Sequence, residues 1–304
     1  MIPLDNYEKF KARAAEQNAA DILNPFEKEQ WDQLKGRNPK GVSVRCKEET
    51  PKGFLCKEIL ENLRSVIEHP VGFNLNHWVV FNWYLKTKWL DAFRAVNLKA
   101  PAAVAECATG SGDKIPQVLA KYFCHAQSKY VSVNLNKQLT ADFKRATHML
   151  PLDISVAEDA AQNIGGLFAK DSLDAVVFEH AFNDIAEDLV AKRYGIDTVN
   201  LSWWDIMQKL IDSTNDAYRS GAYEPIIKED FLRIIKSSIS VLKPGAFVIS
   251  YQFHYQADID MGIDPNIWSD ITKTVRRWLA EEKIGREIFF DGFEPNWWLF
   301  IQKA

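Results

Sequence analysis

Two short polar segments of this 304-residue chain carry side chains that can move protons. Segment 179–184 contains His180 and Asp184, and segment 251–255 contains His254. Neutral imidazole accepts a proton at physiological pH, so both histidines are candidate general bases. Asp184 stands four residues beyond His180 and shares a face with it if this stretch is helical, which would let it orient the histidine or bind substrate. A polar cluster that caps a helix or contacts a cofactor is the alternative for the same residues.

A third segment is rich in glycine. Gly110 and Gly112 follow the apolar run 102–107 and precede a helical pattern. Glycines let a backbone turn tightly and approach a ligand closely, so this loop is a candidate cofactor site, with a tight turn that binds nothing as the alternative. The dinucleotide fingerprint G-x-G-x-x-G fails because its third position is Ile115, and the phosphate-binding pattern GxxxxGK[ST] is absent. The sequence therefore offers neither kind of phosphate cradle.

Short apolar runs alternate with helical patterns after Pro101, which is typical of a mainly parallel sheet covered by helices on both faces. Strands are predicted at 102–107, 130–133, 148–152, 173–178, 246–252, 287–290 and 297–301, and helices at 79–93, 114–123, 138–147, 229–242 and 268–282. The link 291–296 is too short for a parallel crossover, so the last two strands must be antiparallel. Ligands of open parallel sheets bind at the carboxyl ends of the strands, so all three segments are expected at one crevice.

The pattern also divides the chain. Residues 1–95 are predicted to form a helical N-terminal cap on the substrate side, and residues 96–304 the main domain. The connection between the fourth and fifth strands is too long for one crossover helix, so 193–224 is predicted to be a helical insertion that forms a lid. Trp203 and Trp204 lie in this insertion, where they either cover an apolar or aromatic substrate or pack in the core.

The order of these features resembles that of class I S-adenosylmethionine (SAM)-dependent methyltransferases over residues 100–304. Residues 106–112, ECATGSG, are similar to that family's (D/E)xGxGxG loop, and 241–248, VLKPGAFV, to its turn into the fifth strand. The resemblance implies an α/β, Rossmann-like fold with a seven-stranded, mostly parallel sheet of order 3-2-1-4-5-7-6. It also implies SAM as the cofactor and S-adenosylhomocysteine as the product.

The resemblance further implies which residues bind the cofactor, all of them at strand ends. They are Glu106, Ala108, Thr109, Gly110, Ser111, Gly112, Asn134, Leu135, Asp153, Ile154, Phe178 and Glu179. Ala108 replaces a glycine of the family pattern, a modest change if its φ is negative. Asn134 stands where the family has an acidic ribose ligand, with a turn residue as the alternative. Asp153 corresponds to the acceptor of the adenine amino group, with a helix cap as the alternative.

The residues expected to face the methyl acceptor are Trp83, Tyr84, Asn183, Trp203, Trp204 and Tyr251. No metal site is expected, because Glu179, His180 and Asp184 do not reproduce the Asp and Asn pattern of catechol-type methyltransferases. The four cysteines form no CxxC pair, which argues against both a disulfide framework and a zinc knuckle.

Composition narrows the function further. A net charge of -4 disfavours a nucleic-acid substrate, and neither the DPPY-type tetrad nor the Pro-Cys pair of DNA methylases is present. The sequence shows no signal-peptide pattern and no apolar run of the ~18 residues that span a bilayer, so the cytoplasm is the expected compartment. The predicted function is methyl transfer to an O or N nucleophile of a small aromatic or apolar molecule. Methylation of a protein side chain and an inactive SAM-binding regulator or scaffold remain alternatives, and either a monomer or a homodimer is compatible with the sequence.

Overall fold

The computed structural model describes residues 78–252 and 261–304, and for residues 78–84, 87 and 268–270 it describes the backbone alone. These residues fall into two compact units, of which the larger spans Ala92–Phe253 and Met261–Ala304 and contains the whole sheet. Predicted residue His254 and the part of the predicted cap that precedes residue 78 lie outside the described residues. The predicted domain boundary at residue 95 therefore stays a prediction.

The larger unit is built on a seven-stranded sheet of order β3-β2-β1-β4-β5-β7-β6. The strands are β1 (Ala103–Cys107), β2 (Lys129–Val133), β3 (Asp153–Ala157), β4 (Leu173–Glu179), β5 (Leu242–Tyr251), β6 (Arg286–Glu287) and β7 (Trp298–Gln302). Strands β1 to β5 pair in parallel, and β7 is antiparallel to both β5 and β6. The predicted fold class, sheet order and antiparallel final pair are confirmed.

Helices connect these strands. They are α1 (Trp78–Ala95), α2 (Lys114–Tyr122), α3 (Lys137–Thr147), α4 (Ile164–Leu167), α5 (Phe182–Tyr194), α6 (Trp203–Arg219), α7 (Tyr223–Val241) and α8 (Pro265–Glu281). Each helix predicted from the sequence is present, and α7 begins earlier than predicted. Among the described residues, none of these helices combines the length and apolar character that a bilayer span requires.

The sequence prediction is wrong at the third strand and at the sixth, which is Arg286–Glu287 and shares only Glu287 with the predicted 287–290. Residues 148–152 were predicted to form the third strand, but they make a turn after α3, and the strand is Asp153–Ala157. Pro151 has no amide hydrogen to give to a sheet. Because β3 is an edge strand with no fully buried residue, polar Asp153 and Ser155 alternate with apolar residues along it. A search for apolar runs does not detect such a strand.

Aromatic packing fixes α5, which begins at the carboxyl end of β4. Phe182 of α5 contacts Phe231 of α7 with ring centroids 5.4 Å apart, and Phe231 contacts Trp278 of α8 at 6.2 Å. All three side chains are buried. Aromatic pairs at these distances stabilise beyond the area they bury, so the start of α5 is held firmly against the helices beside it.

Candidate functional site

The glycine loop, residues 108–112, follows β1 directly and leads into α2. It therefore lies at the carboxyl end of a central strand. The amide of Gly112 donates to the carbonyl of Thr109 at 3.1 Å, which closes a turn. Gly110 has a φ of 60°, a left-handed conformation that favours glycine. A side chain on Gly110 would meet no atom within 4 Å, so the loop presents an open backbone surface there.

Ala108 also has a left-handed backbone, with a φ of 52°. Its replacement of glycine would be a modest change only if φ were negative, and this condition is not met. A residue with a Cβ atom loses roughly 1–2 kcal/mol in this conformation. The amide of Ala108 donates to the carbonyl of Val133 at 2.8 Å, and this contact with the end of β2 helps to hold the strained residue in place.

Asn134, the first residue after β2, clamps the glycine loop. Its Oδ1 accepts from the amide of Gly110 at 3.2 Å, and its Nδ2 donates to the carbonyl of Gly110 at 2.9 Å. Only 3% of Asn134 is exposed. The resemblance implied a ribose contact for Asn134, whereas in this structure both ends of its amide hold the loop. A side-chain amide suits this position because it donates and accepts at once.

A buried polar network lies beside the loop. The Tyr130 hydroxyl donates to Oε2 of Glu106 at 2.5 Å, and the Thr109 hydroxyl donates to the backbone carbonyl of Glu106 at 3.2 Å. Burial raises the pKa of the Glu106 carboxyl well above 4.5, although the Tyr130 hydrogen bond acts in the opposite direction. This carboxyl therefore holds its proton more strongly than an exposed glutamate does.

A buried ion pair joins the loop to β4. Lys114, the first residue of α2, contacts Oε2 of Glu179 through its Nζ at 3.0 Å, and both side chains are more than nine-tenths buried. The other carboxylate oxygen, Oε1 of Glu179, is buried and has no hydrogen-bond partner within the described part of the chain. Glu179 was among the predicted site residues and Lys114 was not. A signal was present, because a cation at a helix N-terminus is disfavoured unless a carboxylate compensates it.

The acidic residue predicted to contact adenine lies at the amino end of its strand, away from the carboxyl ends where the ligand crevice is expected. Asp153 is the first residue of β3 and pairs with Lys129, the first residue of β2, so Asp153 and its neighbour Ile154 are far along the strand from its carboxyl end. The carboxyl end is instead followed by Glu158 and Asp159. The helix-cap alternative for Asp153 fails as well, because the chain continues as a strand.

His180 lies in the turn between β4 and α5 with a left-handed φ of 53°, and its amide donates to the carbonyl of Tyr251 at 2.7 Å. Since α5 begins at Phe182, His180 precedes the helix and the argument that it shares a helical face with Asp184 is wrong. Asp184 lies in the first turn of α5. The structure therefore places both residues after β4, but not in the predicted helical relation.

Three of the residues predicted to bind ligands around the ends of β4 and β5 are buried. Phe178 is fully buried and contacts Phe182 with ring centroids 5.4 Å apart, and Tyr251 is 1% exposed and packs on Trp298 at 4.8 Å. Asn183 is buried, and its Oδ1 accepts from Nε2 of Gln252 at 2.9 Å. Gln252, which the sequence analysis did not include, thus fastens the end of β5 to the start of α5.

The two adjacent tryptophans of the predicted lid differ in environment. Both begin α6, where Trp203 is half-buried against Ala191, Ile206 and Leu210, while 68% of Trp204 is exposed. Trp203 is thus a packing residue. Trp83 and Tyr84 belong to α1, in the part where only the backbone is described. Within residues 78–252 and 261–304, no three His, Cys, Asp or Glu side chains converge as metal ligands would.

Comparison with known proteins finds likeness in structure only. No family model and no curated protein matches the sequence. The chain is similar to a SAM-dependent methyltransferase from Aquifex aeolicus, with 12% identity over 72% of this chain and 89% of that one and a TM-score of 0.43. It is also similar to a protein from Clostridium thermocellum provisionally named an rRNA methylase, with 13% identity over 72% and 96% of the two chains and a TM-score of 0.45. A third likeness, to the cyclase SpnF, has 10% identity over 65% and 67% of the chains and a TM-score of 0.35.

Identities this low say nothing about the reaction. The topology of the sheet is informative by itself, because the five parallel strands and the antiparallel β7 inserted between β5 and β6 give the order 3-2-1-4-5-7-6. This chain has the class I SAM-dependent methyltransferase fold.

Proposed function

We propose that this chain is a SAM-dependent methyltransferase that methylates an oxygen or nitrogen of a small aromatic or apolar molecule. The observation that carries the proposal is the pairing of two features at the carboxyl ends of β1 and β4. One is the open backbone surface at Gly110, and the other is the buried carboxylate of Glu179 with its unpaired Oε1. Together they fit a ligand that lies flat on the loop and carries positive charge.

Lys114 connects the two features. Its ammonium lies 3.0 Å from Oε2 of Glu179 and 3.9 Å from where a side chain on Gly112 would begin. A buried carboxylate oxygen without a hydrogen bond costs free energy, which a donor brought by a ligand would recover. SAM carries both an ammonium and a sulfonium, so the residues present fit this cofactor.

We assign the methionine end of SAM to the glycine loop and Glu179. The adenosine end then lies toward the carboxyl ends of β2 and β3, where Leu135, Glu158 and Asp159 follow the strands. Asp153 and Ile154 have no part in this assignment because they lie at the amino end of β3. When bound, SAM supplies the electrophilic methyl group. The main task of the protein is then to hold the acceptor in line with that group.

His180 is the proposed general base. It follows Glu179 directly, and its left-handed backbone is fixed by the bond to the carbonyl of Tyr251. From that position its imidazole would take the proton of a hydroxyl or amine acceptor, with Asp184 in the next turn as a substrate or orienting residue.

An apolar acceptor is favoured by exposed apolar side chains around the turn from α5 to α6. The exposed fractions are 47% for Tyr194, 47% for Leu201 and 68% for Trp204. Exposed apolar side chains that form a contiguous patch are typical of a surface that binds an apolar partner, and under this proposal these three form one. The net charge of -4 favours such a molecule over a nucleic acid.

A SAM-binding protein that does not transfer methyl is the second candidate. The strained Ala108 and the occupied amide of Asn134 favour it, since both are departures within the cofactor loop. Both candidates require SAM to bind, and only turnover separates them.

Calorimetry with SAM and S-adenosylhomocysteine tests the binding step. Gly110→Val should abolish binding, because valine is strained at a φ of 60° and fills the open surface of the loop. Gly166→Val is the matched control, since a side chain on exposed Gly166 also meets no atom within 4 Å. If the wild type binds neither compound, or Gly110→Val binds as tightly as the wild type, the proposal is wrong.

Formation of S-adenosylhomocysteine then tests the reaction. The wild type should form it with members of a panel of small aromatic and apolar metabolites, and not with peptides or RNA. Turnover on peptides or RNA alone would replace the proposed substrate class. Tight SAM binding without turnover of small metabolites, peptides or RNA would support the second candidate.

A further inference from the structure

The segment between α5 and α6, residues 195–202, is here called the strap. The chain leaves β4 at its carboxyl end, forms α5, and turns out of that helix at Gly195, whose φ of 71° gives a left-handed cap. It then bonds to residues that follow β2. In the sheet, β2 and β4 lie on either side of β1. The strap therefore completes a crossing from one side of the glycine loop to the other.

One buried side chain fastens the strap on the β2 side. The Nδ2 of Asn136 donates to the carbonyls of Thr198 and Leu201, at 2.9 Å in both cases. The Oδ1 of the same residue accepts from the amide of Leu139 at 3.0 Å, which caps the N-terminus of α3. Only 4% of Asn136 is exposed. Its amide thus joins the helix cap and the strap.

The strap is also fastened on the α5 side. The Thr198 hydroxyl donates to Oδ1 of Asp188 at 2.5 Å, and both residues are buried. Asp188 in turn pairs with Lys192 at 2.6 Å through its other oxygen. Within the strap, Oδ1 of Asp197 accepts from the amide of Asn200 at 3.0 Å. The strap is therefore an ordered element with two separate anchors.

The anchor of the strap lies close to the anchor of the glycine loop. Asn134 clamps Gly110, and Asn136 follows two residues later on the same segment. Two residues of extended chain span at most about 7 Å. A ligand that rests on Gly110 and extends past the end of β2 must therefore come close to the strap.

We propose that the strap forms a wall of the cofactor cleft and that Asn136 is the positioning residue that holds it there. The inference rests on the proposed function, because the ligand of that cleft is taken to be SAM. Asn136 touches the strap and the start of α3, so it acts on SAM through the strap. Loosening the strap should open the cleft and let SAM leave faster.

Two variants of Asn136 in the full chain separate its roles. Asn136→Ser keeps a side-chain oxygen that can cap α3 and removes the Nδ2 group that donates to both strap carbonyls. Asn136→Asp also keeps the cap and turns a carboxylate toward the carbonyls of Thr198 and Leu201. Asn266→Ser, an exposed asparagine in the first turn of α8, is the control.

The readouts are the release of radiolabelled SAM chased by unlabelled S-adenosylhomocysteine, hydrogen exchange in 195–202, and the melting temperature without ligand. Asn136→Ser should release SAM roughly tenfold faster, as expected for the loss of one or two hydrogen bonds, and should exchange faster in the strap. Asn136→Asp should show larger effects, and Asn266→Ser none.

Faster exchange in the strap with unchanged SAM release in both Asn136 variants would overturn the inference and leave the proposed function intact. A lower melting temperature with unchanged release would likewise make Asn136 only a structural residue. If wild-type protein does not bind SAM at all, the proposed function is wrong, and the assignment of the strap to a SAM cleft fails with it.

Discussion

Replacing Glu106 with glutamine tests whether the buried carboxyl beside the glycine loop keeps its proton in the folded protein. Glu106 is 2% exposed, and Oε2 accepts from the Tyr130 hydroxyl at 2.5 Å. Burial is the largest cause of its raised pKa, and Glu179 raises it further while Lys114 lowers it. Glutamine has nearly the shape of a protonated glutamate, and its carbonyl can still accept from Tyr130.

The sign of the effect follows from proton linkage. An unfolded chain releases the Glu106 proton near the ordinary value of 4.5, whereas the folded chain holds it to a higher pH. Between these two values the folded state binds one more proton than the unfolded state, so the free energy of unfolding falls by about 1.4 kcal/mol for each pH unit. The fall ends when the pH reaches the raised pKa of the folded state. Glutamine does not titrate, so the variant lacks this slope.

Urea unfolding of wild type and Glu106→Gln from about pH 5.5 to 8.5 measures the difference, which should favour the variant and widen as the pH rises. Burial also raises the pKa values of Cys107 and Tyr130 in the folded state, and their titration in the unfolded chain is common to both proteins and cancels in the difference. Glu229→Gln on the exposed face of α7 is the control and should not change the slope. Parallel curves for wild type and Glu106→Gln would show that Glu106 is already ionised, and the reasoning from burial would be refuted.

Three further predictions concern the glycine loop, the acidic residues that follow β3, and the proposed general base His180. Ala108→Gly should raise the free energy of unfolding, measured with urea, by about 0.5–1 kcal/mol, because relief of the left-handed strain exceeds the added entropy of the unfolded chain. The control Ala141→Gly within α3 should lower the free energy of unfolding by about 1 kcal/mol. A loss of stability in Ala108→Gly would show that Ala108 is not strained. In calorimetry, Asp159→Ala should weaken SAM binding by about 1–3 kcal/mol while Asp153→Ala leaves it unchanged, and the reverse result would return adenine recognition to Asp153. His180→Asn, which keeps a residue that tolerates a positive φ, should slow turnover by roughly 10² to 10⁴-fold with SAM affinity retained; a rate within a few fold of wild type would mean that alignment alone suffices.

Much of the fold was predictable because central parallel strands are buried and are therefore recognised in the sequence by their mainly apolar residues. Strands β1 and β4 are largely buried on both faces and therefore consist mainly of apolar residues, although Glu106 lies in β1 and Asp174 in β4. Strand β3 at the edge is half exposed, so its alternating residues were missed in favour of the apolar run before it. That shift moved Asp153 from the start of a strand to its predicted end. A single misplaced edge strand thus led to the prediction of an adenine contact for Asp153, which lies at the amino end of β3.

The site was predictable where chemistry is local in sequence and not where it depends on distant partners. The glycine loop is identified by its own spacing. The ion pair of Lys114 with Glu179 joins residues 65 positions apart, and the bonds of Asn136 to the strap join residues 62 and 65 apart. Contacts between residues so far apart in the sequence cannot be inferred from hydrophobic periodicity. The left-handed conformation of Ala108 cannot be predicted from its residue type either, because alanine rarely adopts a positive φ.

The structure explains why an asparagine suits position 134, directly after β2. A carboxylate at position 134 could accept from the amide of Gly110, but it could not donate to the carbonyl of Gly110, and at close range it would repel it. Asn134 makes both bonds, at 3.2 and 2.9 Å, and so fixes a loop whose first glycine has been replaced by strained Ala108. These two bonds use one acceptor site and one donor site of the Asn134 amide, so at most one of each is left for a ribose. Under the proposed function, the carboxyl end of β3 is assigned to the adenosine, because Glu158 and Asp159 follow it and provide the nearest acidic side chains in the sequence.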